Sequence, residues 1–279
     1  MGKIILLNTP IGNLGDLTPR VLEALKVGTV FAVEDTRVFK ELLNHLGISL
    51  QGKRVFALHD QSEEKVMEKM LELAQMDDLY VTSDAGSPII SDPAYPLVLA
   101  ASEQGIAIES YSGVSSPVMA LELSGLPPIP FHFHGFLPRE SGKKSKVFQE
   151  MSGGTHIYFD APTRIEETMD LLSREHPDLK VAIVRELSKK FEQVIRLKAA
   201  REWSERKAEV TFKGEFVLLV NKALGEQTIA NSELKTIAEE IVSKGAAPKQ
   251  VAKLLGLILD RSSKEIYSEL NRQKQSIED

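Results

Sequence analysis

Short apolar runs separated by amphipathic stretches fill the first 125 residues of the chain. The apolar runs predict buried strands, and the stretches between them place apolar residues at helical spacing. Val21, Leu22 and Leu25, for example, follow the pair Thr18-Pro19, which favours the start of a helix. Strands that alternate with helices over short connections predict a parallel sheet flanked by helices. The predicted strands are residues 3–7, 29–33, 54–58, 79–82 and 106–111.

A proline-rich stretch, residues 125–138, ends this pattern and is followed by a second α/β unit. The four prolines within residues 125–138 exclude a helix there, so we predict an extended linker. Beyond the linker, apolar runs predict three further strands and two helices. The strands are residues 155–159, 180–184 and 216–220, and the helices are residues 163–174 and 199–207.

The end of the chain predicts only helices, at residues 232–244, 248–255 and 262–272. The last two have the pattern of a helix-turn-helix pair. Because basic and acidic residues are equal in number from Lys222 onward, two interpretations are open: the tail docks RNA or the ribosome, or it only packs on the second domain. The predicted small core of this tail consists of Val251, Leu254, Leu255, Ile266 and Leu270.

The predicted fold class is therefore α/β, with two α/β domains, the active site in the cleft between them, and a small C-terminal helical appendage. The predicted boundaries are 1–124 for the N-terminal α/β domain, 125–138 for the linker, 139–225 for the second α/β domain and 226–279 for the appendage.

Three of the predicted strands run into turns rich in glycine and short polar residues. These turns lie at 8–14, 83–88 and 112–116, directly after the first, fourth and fifth strands. Because ligands bind in open α/β sheets at the carboxyl ends of the strands, the three turns predict one cleft there.

Composition narrows the class of protein. The 279 residues carry a net charge of −6, which argues against coating nucleic acid by charge alone, and they include no cysteine. We expect a cytoplasmic protein, because the chain begins directly in a strand without the pattern of a signal peptide and has no apolar run long enough to cross a membrane.

His132 and His134 alone are weak evidence for a metal site, and we expect none. A local basic cluster suits phosphate contacts or is plain surface; it consists of Arg139, Lys143, Lys144 and Lys146.

Seven short motifs occur in a distinctive order: TPIGNL at 9–14, EDTR at 34–37, ALHD at 57–60, SDAGSP at 83–88 with SDP at 91–93, GFLP at 135–138, RELSKKFE at 185–192 and KGE at 213–215. In this combination the whole chain resembles the tetrapyrrole-methylase-like superfamily of S-adenosylmethionine (SAM) methyltransferases. Within it, the motifs are similar to those of the bacterial enzymes that methylate the 2′-hydroxyl of a cytidine in 16S ribosomal RNA.

The resemblance implies SAM as cofactor, 16S rRNA or the small ribosomal subunit as partner, and a homodimer. The apolar linker with Phe131, Phe133, Phe136 and Leu137 also favours a dimer, because we expect a monomer to bury its surface poorly. Two rival functions are methylation of a tetrapyrrole precursor and SAM binding without catalysis. The expected cofactor-binding residues are Pro10, Ile11, Gly12, Asp84, Ala85, Gly86, Ser115, Ser116, Phe159, Asp160 and Ala161.

Glu34 and Asp35 are the candidate bases, and Arg37 and Lys189 are the candidates for stabilising the developing alkoxide or holding phosphate. Structural interpretations are open for each group. The charged residues after the second strand could form an ion pair, and Lys189 could belong to a solvated face. Asp84 could bond its own turn, and Ser115 and Ser116 could cap a helix.

Overall fold

The computed structural model describes residues 2–59, 64–224, 236–238, 240–242, 244–259 and 261–275. Contacts divide the chain into two units, Met1–Lys222 and Ala223–Asp279. The first unit contains two five-stranded sheets.

The first sheet is parallel throughout, as predicted, with strand order β3-β2-β4-β1-β5. Its strands are β1 (Lys3–Leu7), β2 (Val30–Val33), β3 (Arg54–Ala57), β4 (Leu79–Thr82) and β5 (Ala107–Tyr111). Its connecting helices are α1 (Pro19–Val27), α2 (Thr36–His45), α3 (Glu64–Met76) and α4 (Tyr95–Glu103).

The helices of the first sheet divide between its two faces. Apolar residues of α1 and α2 pack on one face, around Phe31, and those of α3 and α4 pack on the other, around Ile4 and Val81. After β1 the chain crosses one face of the sheet toward β2. After the neighbouring strand β4 it crosses the other face in the opposite direction, toward β5. The carboxyl ends of two such strands form a crevice, the usual ligand site of this architecture.

The second sheet has strand order β6-β7-β10-β8-β9. Only β6 and β7 pair in parallel; the other neighbours are antiparallel. Its strands are β6 (Phe131–Phe136), β7 (Gly154–Asp160), β8 (Lys180–Arg185), β9 (Gln193–Leu197) and β10 (Phe216–Lys222). One face packs against α5 (Ser116–Ser124), which follows β5, and the other against α6 (Ser141–Gln149) and α7 (Ile165–Glu175).

Three local predictions were wrong. The predicted linker 125–138 contains β6, which lies at the edge of the second sheet. The prolines directly before β6 are compatible with this strand, because proline is tolerated at the start of a strand and at sheet edges. The strand β9 was not predicted. The predicted helix 199–207 is a 3₁₀ turn at Ala200–Glu202, the short helix α8 (Trp203–Arg206) and a second 3₁₀ turn at Lys207–Glu209.

The C-terminal unit contains α9 (Pro248–Leu259), α10 (Ser263–Gln275) and helical residues within 236–242. The predicted helix 232–244 lies partly outside the described residues. Four of the five predicted core residues are buried, whereas Leu254 is 61% exposed and was predicted wrongly. No helix in the described part of the chain combines the length and apolar character needed to cross a membrane.

Candidate active site

A cavity of about 400 Å³ lies between the two sheets of the first unit, within the range of ligand pockets. One wall comes from the loops after β1, β4 and β5, and the opposite wall from the ends of β7, β8 and β10. Eight of the eleven expected cofactor-binding residues line it: Ile11, Ala85, Gly86, Ser115, Ser116, Phe159, Asp160 and Ala161. Pro10, Gly12 and Asp84 are adjacent in sequence to lining residues.

The loops after β1 and β4 are joined by their backbones. Thr9 N donates to Gly86 O at 2.9 Å, and Gly86 N donates to Thr9 O at 3.0 Å. Gly86 has a φ of 81°, and a Cβ there would lie 3.3 Å from Cγ2 of Ile11. Glycine therefore allows both the left-handed backbone and the close approach of the two loops at the cavity wall.

The N-terminus of α5 forms the next part of this wall. Ser115 is its N-cap residue, as the structural interpretation held, yet its side chain makes no capping hydrogen bond within the described chain. The first amides of a helix have no acceptor inside the helix. Ser116 lines the cavity and has a backbone N–H, so this helix start can bind the carboxylate of a ligand, whereas Pro117 beside it adds only apolar contact.

The opposite wall begins where β7 ends. The buried carboxylate of Asp160 accepts hydrogen bonds from Ala161 N (2.9 Å), Arg164 Nε (3.0 Å) and Thr168 Oγ1 (2.6 Å). Asp160 therefore fixes the turn after β7, and its carboxylate is already occupied by protein donors. The neighbouring Phe159 lines the cavity and packs edge-on against Phe136, with ring centroids 5.3 Å apart.

Lys144, a member of the predicted basic cluster, is fully buried instead of exposed. Its Nζ donates to Oγ1 of Thr168 at 3.0 Å and lies 3.9 Å from Oε2 of Glu167. Lys144 therefore belongs to the network around Asp160, and its assignment to a phosphate-binding surface was wrong. Lys143 and Lys146 each pair with a neighbouring carboxylate on α6 or its ends, Glu140 and Glu150 respectively.

Three carboxylates meet where β2 and β4 end. Asp84 N donates to Oε2 of Glu34, and Asp35 N donates to Oδ1 of Asp84, both at 3.1 Å. Partial desolvation by the surrounding loops, and next the negative charge of Glu34, raise the pKa of Asp84 although its side chain keeps access to solvent. Asp84 directly precedes Ala85, so this cluster adjoins the cavity.

Asp35 differs from its two neighbours. Its carboxylate caps α2 by accepting from Arg37 N at 2.8 Å, and it pairs with the Arg37 guanidinium at 2.6 Å. The hydrogen bonds from the Arg37 side chain and backbone hold the pKa of Asp35 well below its usual range. The ion-pair interpretation therefore applies to Asp35 and Arg37.

Lys189 lies against the loop after β1, because a Cβ on Gly12 would overlap its side chain. Its Nζ is shared between Glu186 Oε1 at 3.1 Å and Glu215 Oε2 at 3.0 Å. Burial lowers the pKa of Lys189, but hydrogen bonds to Glu215 and Glu186 outweigh burial and raise it. Lys189 therefore stays charged and is neutralised by protein carboxylates.

Four residues that line the cavity are not among the residues predicted from the sequence: Ile90, Phe136, Leu187 and Glu215. The last three lie in the motifs GFLP, RELSKKFE and KGE, and these motifs are the signal that could have identified them.

The histidines of β6 acquire a third partner, His156 of β7. His134 Nε2 and His156 Nδ1 are 2.9 Å apart, and the rings of His132 and His156 stack at 4.8 Å. Among the residues that the structure describes, no three histidine, aspartate or glutamate side chains are arranged to hold a metal ion.

Residues 3–201 match the family model for tetrapyrrole (corrin/porphyrin) methylases. The chain belongs to the tetrapyrrole methylase family. It is 38% identical over 228 residues to a protein of Halalkalibacterium halodurans named ribosomal RNA small subunit methyltransferase I, covering 78% of this chain and 75% of that one. A protein of the same name from Streptococcus pyogenes serotype M1 is 33% identical over 275 residues, covering 97% and 95%.

Solved structures agree on the fold of this tetrapyrrole methylase family member. A diphthine synthase covers 80% of this chain and 90% of its own, with 16% identity and a TM-score of 0.57. A cobalt precorrin-4 methyltransferase covers 80% and 96%, with 18% identity and a TM-score of 0.55.

Family membership makes the chain a SAM-dependent methyltransferase and confirms the predicted cofactor. The cavity suits this group, because it combines apolar walls for an adenine ring with a helix N-terminus for a carboxylate.

Proposed function

We propose that this methyltransferase methylates the 2′-hydroxyl of a cytidine ribose in 16S rRNA of the small ribosomal subunit. One observation supports this choice over a tetrapyrrole substrate. The relatives named for ribosomal RNA align over as much as 97% of this chain, past the end of the family match at residue 201 and into the C-terminal unit. The reaction would take place in the cytoplasm, where ribosomes are assembled.

The cavity is our proposed SAM site. Apolar contact from Ile11 and Phe159 would hold the adenosine part, and the first amides of α5, at Ser116, would hold the carboxylate. Bound SAM supplies a methyl group already activated by the sulfonium. The remaining proposed contacts are Pro10, Gly12, Ala85, Gly86, Ser115, Asp160 and Ala161, and Asp84 adjoins them outside the cavity lining.

The protein must align the ribose hydroxyl and help remove its proton. Of the candidate bases, Asp35 is the weakest, because Arg37 holds its carboxylate in the ionised, paired form. We assign the base role to Asp84, whose raised pKa makes it a better proton acceptor, with Glu34 beside it.

The two cations then have different roles. The side chain of Arg37 is 86% exposed, so its guanidinium can contact an RNA phosphate while it pairs with Asp35. Lys189 is already neutralised by Glu186 and Glu215, so we assign it the positioning of the loop that contains Gly12.

The predicted homodimer remains a proposal. Phe131 and Phe136 are exposed as expected, whereas Leu137 is buried and contributes no surface. Light scattering at micromolar concentration should give the mass of two chains, and the mass of one chain would contradict the proposal.

The substrate is tested by offering radiolabelled SAM in parallel to small ribosomal subunits from cells that lack this protein and to uroporphyrinogen. We expect label only in the RNA, at a position that resists alkaline hydrolysis, because a 2′-O-methyl group blocks cleavage of the adjacent phosphodiester. Label only in the tetrapyrrole, or binding of SAM without transfer to either, would favour one of the two rival functions.

A further inference from the structure

An exposed phenylalanine lies in the turn between β8 and β9. Leu187 in this turn lines the cavity, and Phe191, four residues later, is 63% exposed. A single exposed aromatic ring is ordinary on a protein surface, so the backbone and charges around it decide whether it suits a partner.

Hydrogen bonds fix the backbone of this turn. Lys189 N donates to Glu186 O at 3.0 Å, and Glu192 N donates to Lys189 O at 3.1 Å. Nη1 of Arg185 donates to the carbonyl oxygen of Phe191 itself at 3.1 Å. The ring is therefore presented to solvent from a backbone that is already ordered, which lowers the entropy cost of binding.

One lysine ammonium lies near the ring, and the turn contains further basic residues. Nζ of Lys190 lies 5.7 Å from the centroid of the Phe191 ring, and Arg185 Nε donates to the carbonyl oxygen of Lys213. Within the described ranges, Arg185, Lys190 and Lys213 have no carboxylate oxygen within 4.0 Å.

The carboxylates nearby are already used by protein donors. The Glu192 carboxylate accepts from Ser188 N at 2.8 Å, while Glu186 and Glu215 share Lys189. The basic residues of this turn and the neighbouring loop, Arg185, Lys189, Lys190 and Lys213, outnumber the carboxylates Glu186, Glu192 and Glu215 by one. An exposed ring with unpaired cations suits a partner that has both a flat aromatic face and negative charge, which is single-stranded nucleic acid.

We infer that Phe191 is a stacking platform for an unpaired base of the RNA substrate, with Lys190 and Lys213 beside the phosphates that flank this base. The inference rests on the proposed function, because it assigns a second contact for the same RNA. Stacking of a base on an aromatic side chain changes affinity by roughly 5- to 100-fold.

The first test is kinetic. Phe191→Ala should raise KM for small ribosomal subunits roughly 5- to 100-fold, while kcat and the affinity for S-adenosylhomocysteine stay unchanged. Phe191→Trp should restore KM. Tyr95→Ala is the matched control, because it removes an aromatic side chain of similar exposure, 58%, from α4. An unchanged KM in Phe191→Ala, or an equal rise in Tyr95→Ala, would overturn the inference.

The second test does not depend on methyl transfer. Trp203 is the only tryptophan and is buried, so Phe191→Trp adds an exposed reporter. Single-stranded RNA should quench the added fluorescence, whereas the same strand without bases, or heparin, should not. Tyr95→Trp should not respond.

These readouts separate the two proposals. Quenching by RNA without methylation of ribosomal subunits would keep the platform and contradict the proposed function. Methylation of ribosomal subunits without quenching would support the proposed function and contradict the platform. A change in fluorescence that depends only on protein concentration would identify the surface as a protein interface and would overturn the inference.

Discussion

Asp84 is the residue on which the proposed methyl transfer depends most. It combines a raised pKa with a place next to a residue of the cavity wall, whereas the neighbouring Asp35 is held by Arg37. Asp84 therefore keeps a carboxylate that is not committed to an ion pair and that binds a proton more readily than an ordinary aspartate.

We predict that Asp84→Asn lowers kcat roughly 100-fold with little change in the affinity for S-adenosylhomocysteine. The matched control is Asp35→Asn, which retains a good N-cap for α2 and should keep most of the activity. Single-turnover rates and calorimetry measure the two quantities. If Asp35→Asn is the slower of the two variants, the assignment of the base is wrong.

The raised pKa of Asp84 also fixes a pH dependence. Because the base must be deprotonated, the rate should fall as the pH drops through the pKa of Asp84, which lies above that of an ordinary aspartate. The acidic limb of the kcat profile should disappear in Asp84→Asn. A limb that persists unchanged would assign it to another group.

Gly86 is the second residue that we expect to be essential at its position in the cavity wall. We predict that Gly86→Ala costs about 1 kcal/mol of stability and weakens binding of S-adenosylhomocysteine roughly tenfold, because the new Cβ presses on Ile11 at the cavity wall. Gly47→Ala has a similar φ of 67° with open space around it, so it should lose comparable stability and no affinity. Equal affinities in the two variants would remove Gly86 from the cofactor site.

At the scale of elements, a buried polar network joins α6, β7 and α7 behind the cavity. Lys144 of α6 donates to Thr168 of α7, whose hydroxyl donates to Asp160 at the end of β7. The turn after β7 therefore depends on a side chain contributed by a different helix.

We predict that Thr168→Val destabilises the protein by about 3 kcal/mol, because it leaves Asp160 and Lys144 buried without their shared partner. Thr168→Ser keeps the hydroxyl and should cost about 1 kcal/mol for the lost methyl group. Urea unfolding measures both. Similar losses in the two variants would show that the hydroxyl is unimportant.

Elements with strong internal patterns could be predicted from the sequence, and those set by tertiary contacts could not. Four of the five strands of the first sheet are mainly apolar runs, and parallel pairing brings the carboxyl ends of all five, hence Ile11, Gly86 and Ser115, to one edge. The edge strands β6 and β9 were missed, because β6 follows a proline-rich stretch and β9 carries the exposed Arg196.

The same limit applies to side chains. A lysine in a basic stretch of sequence predicts surface, and only the packing of α6 on α7 buries Lys144. The pairing of Glu34 with Asp84 likewise depends on β2 lying beside β4, which no local pattern specifies.

At the scale of the molecule, Met1–Lys222 contains both sheets and the whole cavity, and Ala223–Asp279 is a separate unit. We predict that removing the residues after Lys222 leaves the affinity for S-adenosylhomocysteine intact and raises KM for small ribosomal subunits. The loss should grow with salt, since lysines such as Lys249 and Lys253 are exposed for phosphate contacts. Loss of cofactor binding in the truncated protein would make the tail structural and contradict the docking interpretation.

The most direct test of the whole account is the identity of the methylated nucleoside. Small ribosomal subunits from cells that lack this protein would be incubated with it and with SAM carrying a deuterated methyl group, then digested to nucleosides for mass spectrometry. We expect the wild-type protein to place the deuterated methyl group on the ribose of cytidine, and Asp84→Asn to yield much less of this labelled nucleoside. A deuterated methyl group on a base, or none in the RNA at all, would contradict the account.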